Sequence, residues 1–398
     1  MNDSRIEKTR LGEPYLLTPG PLSTSYAVKQ AMLCDWGSWD SDFRAMTLKL
    51  RQMLLEMTGD KNDILDCVPM QGSGTFAVEA MLGSLLAKDT KTLVLSNGAY
   101  GLRIAKILQV LGRDHVIIDK GDYMPPRGSE VASALEGDPN ITHVVVVHCE
   151  TSSGILNPVK EIADVVKAHD RKILIDSMSA FGAIPLDFNE IDYEAIVSSA
   201  NKCIEGVPGF GFIIAKKEVL AAAKGNAHSL SLDVHDQWQV MNNTGQWRFT
   251  PPTHVVAAFL TALQAHKTEG SVAGRGARYA ENRDVLVKGM RALGFETLLD
   301  AQWLSPIIVT FFAPQDSAFK FDIFYQILKE KGFIIYPGKL TIVDSFRIGC
   351  IGQIDQHVMV ELCEAVEQAL KTMDVKSAAA PQIAIKEREK LNIELNNE

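Results

Sequence analysis

Residues 144–176 of the chain read VVVVHCETSSGILNPVKEIADVVKAHDRKILID. Two short runs rich in β-branched residues, Val144–His148 and Ile173–Asp176, flank an amphipathic stretch at Val159–Lys167. The runs show little polar alternation, which is typical of strands that are buried on both faces. This part of the chain therefore predicts a strand, a helix and a second strand parallel to the first.

The same alternation continues on both sides of this unit. Upstream, the pattern predicts strands at Ile64–Met70, Thr92–Ser96 and Val116–Asp119, with helices at Thr75–Leu86 and Leu102–Leu111. Downstream, a short loop containing Gly and Pro joins the apolar runs Ala195–Ser199 and Phe210–Ala215 and suits an antiparallel pair. We expect an α/β domain whose mostly parallel sheet is covered by helices on both faces.

The C-terminal part has a different order of elements and predicts a smaller α+β domain. Helices are expected at Val255–Lys267, Gly276–Leu293, Phe319–Lys331 and Asp355–Met373, and strands at Ile307–Phe312, Phe333–Tyr336 and Phe346–Cys350. The segment from Val375 begins with AAAP and continues as a charged, weakly periodic stretch. We predict that this segment is an exposed tail.

Composition excludes several classes of function. The 398 residues carry a net charge of −9 without a Lys/Arg-rich run, so no nucleic-acid partner is expected. No apolar run approaches the length of a membrane span, and no membrane partner is expected. The six cysteines are scattered without a C-x-x-C pair, which argues against a disulfide scaffold or a zinc site. A reducing, cytoplasmic location and a site without metal follow as expectations.

Two candidate features lie at strand ends in the larger domain. In the turn Gly72-Ser73-Gly74-Thr75, small residues before a helix allow backbone N–H groups to approach a phosphate, and the alternative is an ordinary glycine turn with a Ser or Thr N-cap. Asp176 ends a buried strand, where a carboxylate needs a strong partner such as a protonated pyridine nitrogen. Its alternative role is also that of a helix N-cap.

Two cationic side chains complete the candidates. Lys202 follows an apolar strand, and a partly dry pocket there would lower its pKa and allow a Schiff base with an aldehyde, whereas most lysines are simply exposed. Arg347 lies inside the apolar strand Phe346–Cys350 and suits bidentate capture of a carboxylate or a phosphonate. The alternative for Arg347 is a side chain whose stem covers a sheet edge.

Together with Tyr100 and the polar turn Glu150–Gly154 between them, these residues form a set that could bind pyridoxal phosphate at every one of its functional groups. On its motifs the chain resembles the class-V aminotransferases, which have pyridoxal-phosphate fold type I, over about Leu16 to Leu370. The motifs are Leu17–Leu22 (LTPGPL), Gln71–Thr75 (QGSGT), Ser96–Gly101 (SNGAYG), His148–Pro158 (HCETSSGILNP), Asp176–Gly182 (DSMSAFG), Ser198–Cys203 (SSANKC) and Phe346–Gly349 (FRIG).

The resemblance implies a role for each matching residue in binding pyridoxal 5'-phosphate. Lys202 would form the Schiff base and carry protons, and Asp176 would pair with the pyridine nitrogen. Tyr100 and Met178 would contact the two ring faces, and the phosphate would lie on Ser73, Gly74 and Thr75. Thr151 would lie near the ring hydroxyl, with Ser152 as the alternative.

The resemblance also implies how the substrate is bound and how the chains assemble. Arg347 would hold the anionic group of the substrate, and Gly20 would also bind the substrate. Thr250, in the segment Arg248–His254, would reach the phosphate of a second subunit's cofactor, which implies a homodimer with shared active sites.

The implied architecture has a large domain at residues 26–274 with a seven-stranded, mostly parallel sheet. A small α+β domain would span residues 275–374, an N-terminal segment at residues 1–25 would pack against it, and residues 375–398 would form the tail. The implied reaction is a ping-pong transfer of the amino group of 2-aminoethylphosphonate to pyruvate, giving phosphonoacetaldehyde and L-alanine. The alternative is another class-V aminotransferase, such as an alanine/serine–glyoxylate aminotransferase.

Two other readings of the same motifs are less well supported. A class-V cysteine desulfurase needs a nucleophilic cysteine on a loop upstream of the arginine, and residues 338–345 contain none. A protein that binds the cofactor without catalysis is disfavoured because every expected catalytic position is filled by a competent residue.

Overall fold

The protein is described by a computed structural model that covers residues 12–122, 124–339 and 343–396. Residues 1–11 of the expected N-terminal segment and residues 397–398 of the expected tail therefore lie outside the described residues.

The described chain is a mixture of strands and helices. The strands are β1 Tyr15–Leu16, β2 Leu65–Gln71, β3 Lys91–Ser96, β4 Asp114–Asp119, β5 Ile141–Val147, β6 Cys149–Glu150, β7 Ile155–Leu156, β8 Lys172–Asp176, β9 Ala195–Ser199, β10 Phe210–Lys216, β11 Ile308–Phe312, β12 Phe333–Ile334, β13 Tyr336–Pro337 and β14 Ser345–Gly349. The helices are α1 Tyr26–Gln30, α2 Ser41–Glu56, α3 Gly74–Leu85, α4 Ala99–Val110, α5 Gly128–Gly137, α6 Val159–Ala168, α7 Lys217–Ala222, α8 Val234–Thr244, α9 Thr253–Thr268, α10 Ser271–Ala292, α11 Phe321–Glu330, α12 Gln356–Thr372 and α13 Gln382–Asn396. Short 3₁₀ turns lie at Ala31–Leu33 and Ala301–Trp303.

The large sheet has seven strands in the order β2-β10-β9-β8-β5-β3-β4. Neighbouring strands from β9 to β4 are parallel, and β10 runs antiparallel to both β9 and β2. This arrangement confirms the expected mostly parallel sheet and the antiparallel pair formed by Ala195–Ser199 and Phe210–Ala215.

Both faces of this sheet are buried, as the β-branched runs predicted. In β5, Val144 and Val146 enter a core that includes side chains of α2, α6 and α9. The alternate residues Val145 and Val147 enter a second core with side chains of α3 and α4. Successive side chains of a strand point to opposite faces, so a strand between two helical layers has to be apolar at every position.

The C-terminal part packs a three-stranded antiparallel sheet, β11-β14-β13, against α10, α11 and α12. Phe346 lies at the centre of its core, in contact with the rings of Phe295, Phe311 and Phe324. The N-terminal strand β1 pairs in parallel with β12 of this part. The boundary expected between residues 274 and 275 falls inside α10, and the domain division stays a prediction.

The prediction of an exposed tail is wrong for its first part. Ala378, Ala380 and Ala384 are buried in the core of the small domain, and the backbone N–H of Gln315 donates to the carbonyl of Ala379. Arg388, on α13, forms an ion pair of 2.7 Å with Glu296. The tail reads as polar because the buried residues of this segment, Ala378 and Ala380 before α13 and Ala384 on it, are small alanines, which leave a weak apolar pattern in the sequence.

Candidate active site

The candidate residues meet at the carboxyl ends of strands β8 and β9, where open α/β sheets bind their ligands. Asp176 is the last residue of β8, and Lys202 follows the end of β9 by three residues. Among the described residues, no group of His, Cys, Asp and Glu is arranged to hold a metal ion.

The amine of Lys202 lies in the interior, against the N-terminal segment. Its Nζ donates to the carbonyl of Pro19 at 2.7 Å, and the carbonyl of Gly20 is 3.4 Å away. Burial lowers the pKa of Lys202 to about 8, although the nearby Cys203 and Asp176 favour the ammonium form. A fraction of this amine is therefore neutral and nucleophilic near neutral pH, unlike that of a surface lysine.

Gly20 allows the close approach of this lysine. Its φ is +112°, and a Cβ built on it would lie 2.7 Å from both Cδ and Nζ of Lys202. The Gly20–Pro21 peptide bond is cis. Gly20 thus lies beside the Lys202 amine, and its expected role in binding the substrate stays a prediction.

Asp176 is buried and has a free acceptor position. Its Oδ1 accepts the backbone N–H of Met178 at 3.0 Å, and no described residue donates a hydrogen bond to its Oδ2. Burial raises the pKa of Asp176 to about 6, with the charge of Glu150 acting in the same direction. A turn rather than a helix follows Asp176, so the alternative role as a helix N-cap is wrong. A protonated ring nitrogen would give this carboxylate the partner it lacks.

The turn before α3 has the form of an anion site. Gly72 has φ +110°, and Ser73 occupies the N-cap position without making a side-chain cap hydrogen bond. Ser73 is therefore the N-cap residue, as the alternative expected, but its hydroxyl makes no capping hydrogen bond and remains available together with the first N–H groups of α3. Helix N-termini of this kind favour phosphate, and the loop of Ser73, Gly74 and Thr75 fits one.

Tyr100 and Met178 border the same space. Both pack against the core beneath α3 and α4, and a Cβ on Gly74 would collide with the Met178 side chain. Thr151 is buried and its hydroxyl makes no hydrogen bond to a described residue, whereas the Ser152 hydroxyl donates to Glu150. Of the two alternatives for the ring hydroxyl, Thr151 is therefore the one that is free.

Glu150 is a site residue to which the sequence analysis gave no role. Its Oε2 accepts the backbone N–H groups of Tyr100 and Gly101 at the start of α4, and its Oε1 accepts from Ser152. Burial raises the pKa of this carboxyl group. Glu150 fixes the position of Tyr100, and its signal was a carboxylate inside a run of small polar residues after a buried strand.

Arg347 approaches from the small domain and is also buried. Its Nη1 donates to the carbonyl of Thr151 at 2.7 Å, and its Nε donates to the carbonyl of Pro337 at 3.1 Å. Burial lowers the pKa of Arg347, and Tyr100 and Glu150 oppose that effect. No described carboxylate forms an ion pair with it, so the guanidinium is oriented but not neutralised, which suits an anionic ligand.

Thr250 is the predicted site residue that the structure places outside this group. It is exposed, and its carbonyl and that of Phe249 accept hydrogen bonds from the Gln71 side chain. The segment therefore lies on the surface beside the beginning of the Gly72 turn.

A family model described as "Aminotransferase class-V" matches residues 70–340 of this chain. The chain is 68% identical over 381 residues to a protein named 2-aminoethylphosphonate–pyruvate transaminase from Rhizobium meliloti (strain 1021), which covers 96% of this chain and 100% of the relative. The chain belongs to the class-V aminotransferases.

Solved structures of other aminotransferases share the fold. A pyridoxamine–pyruvate aminotransferase from Mesorhizobium loti superposes with a TM-score of 0.83 at 22% identity, covering 96% of this chain and 97% of that one. A phosphoserine aminotransferase from Trichomonas vaginalis, described as bound to pyridoxal phosphate, gives a TM-score of 0.72 at 15% identity, covering 89% and 100%. This class-V aminotransferase therefore has the expected α/β fold of type I. No helix among its described residues has the length and apolar character needed to cross a membrane.

Proposed function

We propose that this chain binds pyridoxal 5'-phosphate and transfers the amino group of 2-aminoethylphosphonate to pyruvate, giving phosphonoacetaldehyde and L-alanine. One observation carries the proposal. The Lys202 amine, the unpartnered oxygen of Asp176 and the Ser73 turn, whose hydroxyl does not cap α3, lie together at the same edge of the sheet. The name of the Rhizobium meliloti relative, which this chain matches over its whole length, supports the choice of substrates.

The residues of the chain offer a partner for each functional group of this cofactor. Lys202 would hold it through its amine and Asp176 through its ring nitrogen, while Ser73, Gly74 and Thr75 would hold its phosphate. Tyr100 and Met178 would contact its ring, with Thr151 near the ring hydroxyl. When bound, the cofactor supplies an aldehyde that captures amino groups and a ring that takes up electrons.

Among the described residues, Lys202 is the base that is best placed to move the proton. With a pKa near 8, its Nζ is basic enough to take a proton from the amino-bearing carbon and acidic enough, once protonated, to return it. The carbonyls of Pro19 and Gly20 hold the amine when it is free. The Asp176 carboxylate would stabilise positive charge on the ring nitrogen, which is the condition for the ring to accept electrons.

We also propose a homodimer in which Thr250 serves the partner's cofactor, located in the cytoplasm. Phe249, Leu33 and Trp39 are large exposed side chains, and their burial against a second chain would favour dimer formation. The free cysteines among the described residues suit a reducing compartment.

A half-reaction without acceptor tests the proposed donors. The holoenzyme is mixed separately with 2-aminoethylphosphonate, L-alanine, serine and phosphoserine, and the visible absorption of the cofactor is followed. We expect rapid loss of the band with 2-aminoethylphosphonate and with L-alanine only. Loss with serine or phosphoserine but not with the phosphonate would assign the chain to another aminotransferase activity and overturn the proposal.

A further inference from the structure

Three cationic side chains gather around Tyr100 without a carboxylate to neutralise them. The Arg103 guanidinium lies 4.8 Å from the centre of the Tyr100 ring, and Lys339 Nζ lies 5.8 Å from the same centre. Arg347 lies on β14, which pairs with β13, the strand that ends two residues before Lys339, and its charge acts on both Lys339 and Tyr100. No described carboxylate lies within ion-pair distance of any of the three.

The proximity of these three cations is electrostatically unfavourable in the protein without a ligand. Partial burial lowers the pKa of Lys339, and the charges of Arg347 and Arg103 lower it further, while Glu150 opposes them. Glu150 forms no ion pair with any of the three cations, because its oxygens accept hydrogen bonds from Ser152 and from the amides of α4, so its charge offsets their repulsion only in part. An anionic ligand between these cations would relieve the repulsion, and a dianion would do so more than a monoanion.

The position of Lys339 is set by the same strand pair that presents Arg347. Tyr336 pairs with Arg347 across β13 and β14, and the carbonyl of Pro337 accepts the Arg347 Nε–H. The N–H of Gly338 donates to the Ser345 carbonyl at 2.8 Å, and a Cβ on Gly338 would lie 2.5 Å from that oxygen. A side chain at position 338 would clash with this carbonyl and break the hydrogen bond. The backbone that leads to Lys339 is therefore fixed against β14.

The two ends of the group of cations face different elements. Arg103 donates from Nη1 to Thr75 Oγ1 at 3.3 Å, which directs it to the turn that fits the cofactor phosphate. Lys339 and Arg347 both come from the small domain, where β13 pairs with β14, and Arg347 donates to the carbonyl of Thr151 at 2.7 Å. Lys339 therefore belongs to the substrate end of the site.

We propose that Lys339 is a second cationic ligand of the donor's phosphonate, beside Arg347, and that it makes the site prefer a dianionic phosphonate to a monoanionic carboxylate. The inference rests on the proposed function and names the residue that sets its donor class. Arg347 alone matches either anion with its two parallel N–H groups. The additional ammonium group of Lys339 contributes mainly to the binding of a doubly charged ligand.

The test uses two unreactive probes of equal length, 2-hydroxyethylphosphonate and 3-hydroxypropionate, which differ in the anionic group. Their dissociation constants for the holoenzyme are measured by calorimetry at pH 8. In Lys339→Met we expect phosphonate binding to weaken by about tenfold or more and carboxylate binding by less than about threefold. Lys339→Arg should retain the preference, and Lys329→Met, an exposed lysine on α11, serves as the matched control.

Equal weakening for both probes, or an unchanged preference in Lys339→Met, would overturn the proposal. Loss of pyridoxal phosphate affinity in Lys339→Met, with probe preference intact, would also overturn it by assigning Lys339 to the cofactor. Failure of the proposed function is seen separately, as a wild-type holoenzyme that does not react with 2-aminoethylphosphonate in the half-reaction.

Discussion

Lys202 differs from a surface lysine because burial places its pKa near 8. Below that pH the amine is mostly an ammonium ion and cannot attack an aldehyde, and above it the amine is mostly neutral. The rate at which the apoprotein takes up pyridoxal phosphate should therefore rise with pH around a midpoint near 8. Stopped-flow absorbance of the forming visible band measures this rate.

Lys202→Ala is the control for that experiment, since it should show no band and no turnover. A midpoint close to that of an exposed lysine, about 10.4, would show that the amine is not held in a desolvated position. Normal steady-state turnover by Lys202→Ala would remove Lys202 from the catalytic role.

At the residue scale, the sequence was most informative where a residue type is unusual for its place. A lysine just after an apolar strand, an aspartate at the end of one and an arginine inside another are costly to bury, so each pointed to a ligand. Glu150 and Lys339 could not be assigned in this way. Glu150 acts through backbone amides of a helix distant in sequence, and Lys339 follows a strand of two residues with no apolar pattern of its own.

Among the elements, the segment at Leu17–Leu22 lies directly against Lys202. Gly20→Ala would put a methyl group 2.7 Å from Lys202 Cδ and Nζ, and the flexible end of the lysine would have to move. We expect kcat to fall by about tenfold or more, because a small misplacement of a reacting group is costly. Steady-state kinetics measure the change.

Gly12→Ala is a matched control for the backbone effect. Gly12 also has a positive φ, of +80°, but a Cβ on it meets nothing within 4 Å. Both variants carry the strain of a side chain at positive φ, and only Gly20→Ala crowds Lys202. A similar loss of kcat in both variants would show that the contact with the lysine is not what matters.

Helix α13 is a structural part of the small domain, and its stability contribution can be measured. Ala384 is completely buried, whereas its neighbour Ile383 is 58% exposed. Ala384→Asp should lower the free energy of unfolding by about 2 kcal/mol or more, since it buries a carboxylate without a partner. Ile383→Asp should change it by less than about 1 kcal/mol, and urea unfolding compares the two.

A loss of unfolding free energy no larger in Ala384→Asp than in Ile383→Asp would show that α13 is not docked in solution.

The element-scale predictions from sequence succeeded where periodicity was strong, as in the buried strands β5 and β8. Helix α2 was not assigned, although Phe43, Leu50 and Leu54 supply an apolar face and Asp40 caps its start. The tail was misjudged because its buried residues are alanines, which contribute little apolar contrast.

Across the whole molecule, one buried ionic network connects the two parts that form the site. Arg278 on α10 binds Glu205, three residues after Lys202, and donates to the carbonyls of Gly352 and Ile354, which follow the strand of Arg347. Arg275 donates to the carbonyl of Cys203. The segments that carry Lys202 and Arg347 are therefore held to the same helix, and no local sequence pattern reveals this because the partners are more than 70 residues apart.

Completion of the site by a second chain can be tested by mixing two inactive variants. Lys202→Ala lacks the reactive amine, and Thr250→Glu would place a negative charge where the partner's cofactor phosphate is expected. In a homodimer with shared sites, a mixed dimer has one site with both lesions and one site with neither. Co-refolded or co-expressed variants should therefore recover up to about a quarter of wild-type activity, since about half of the dimers are mixed and half of their sites are intact. Activity that does not exceed the sum of the separate variants would mean that Thr250 does not serve a second chain.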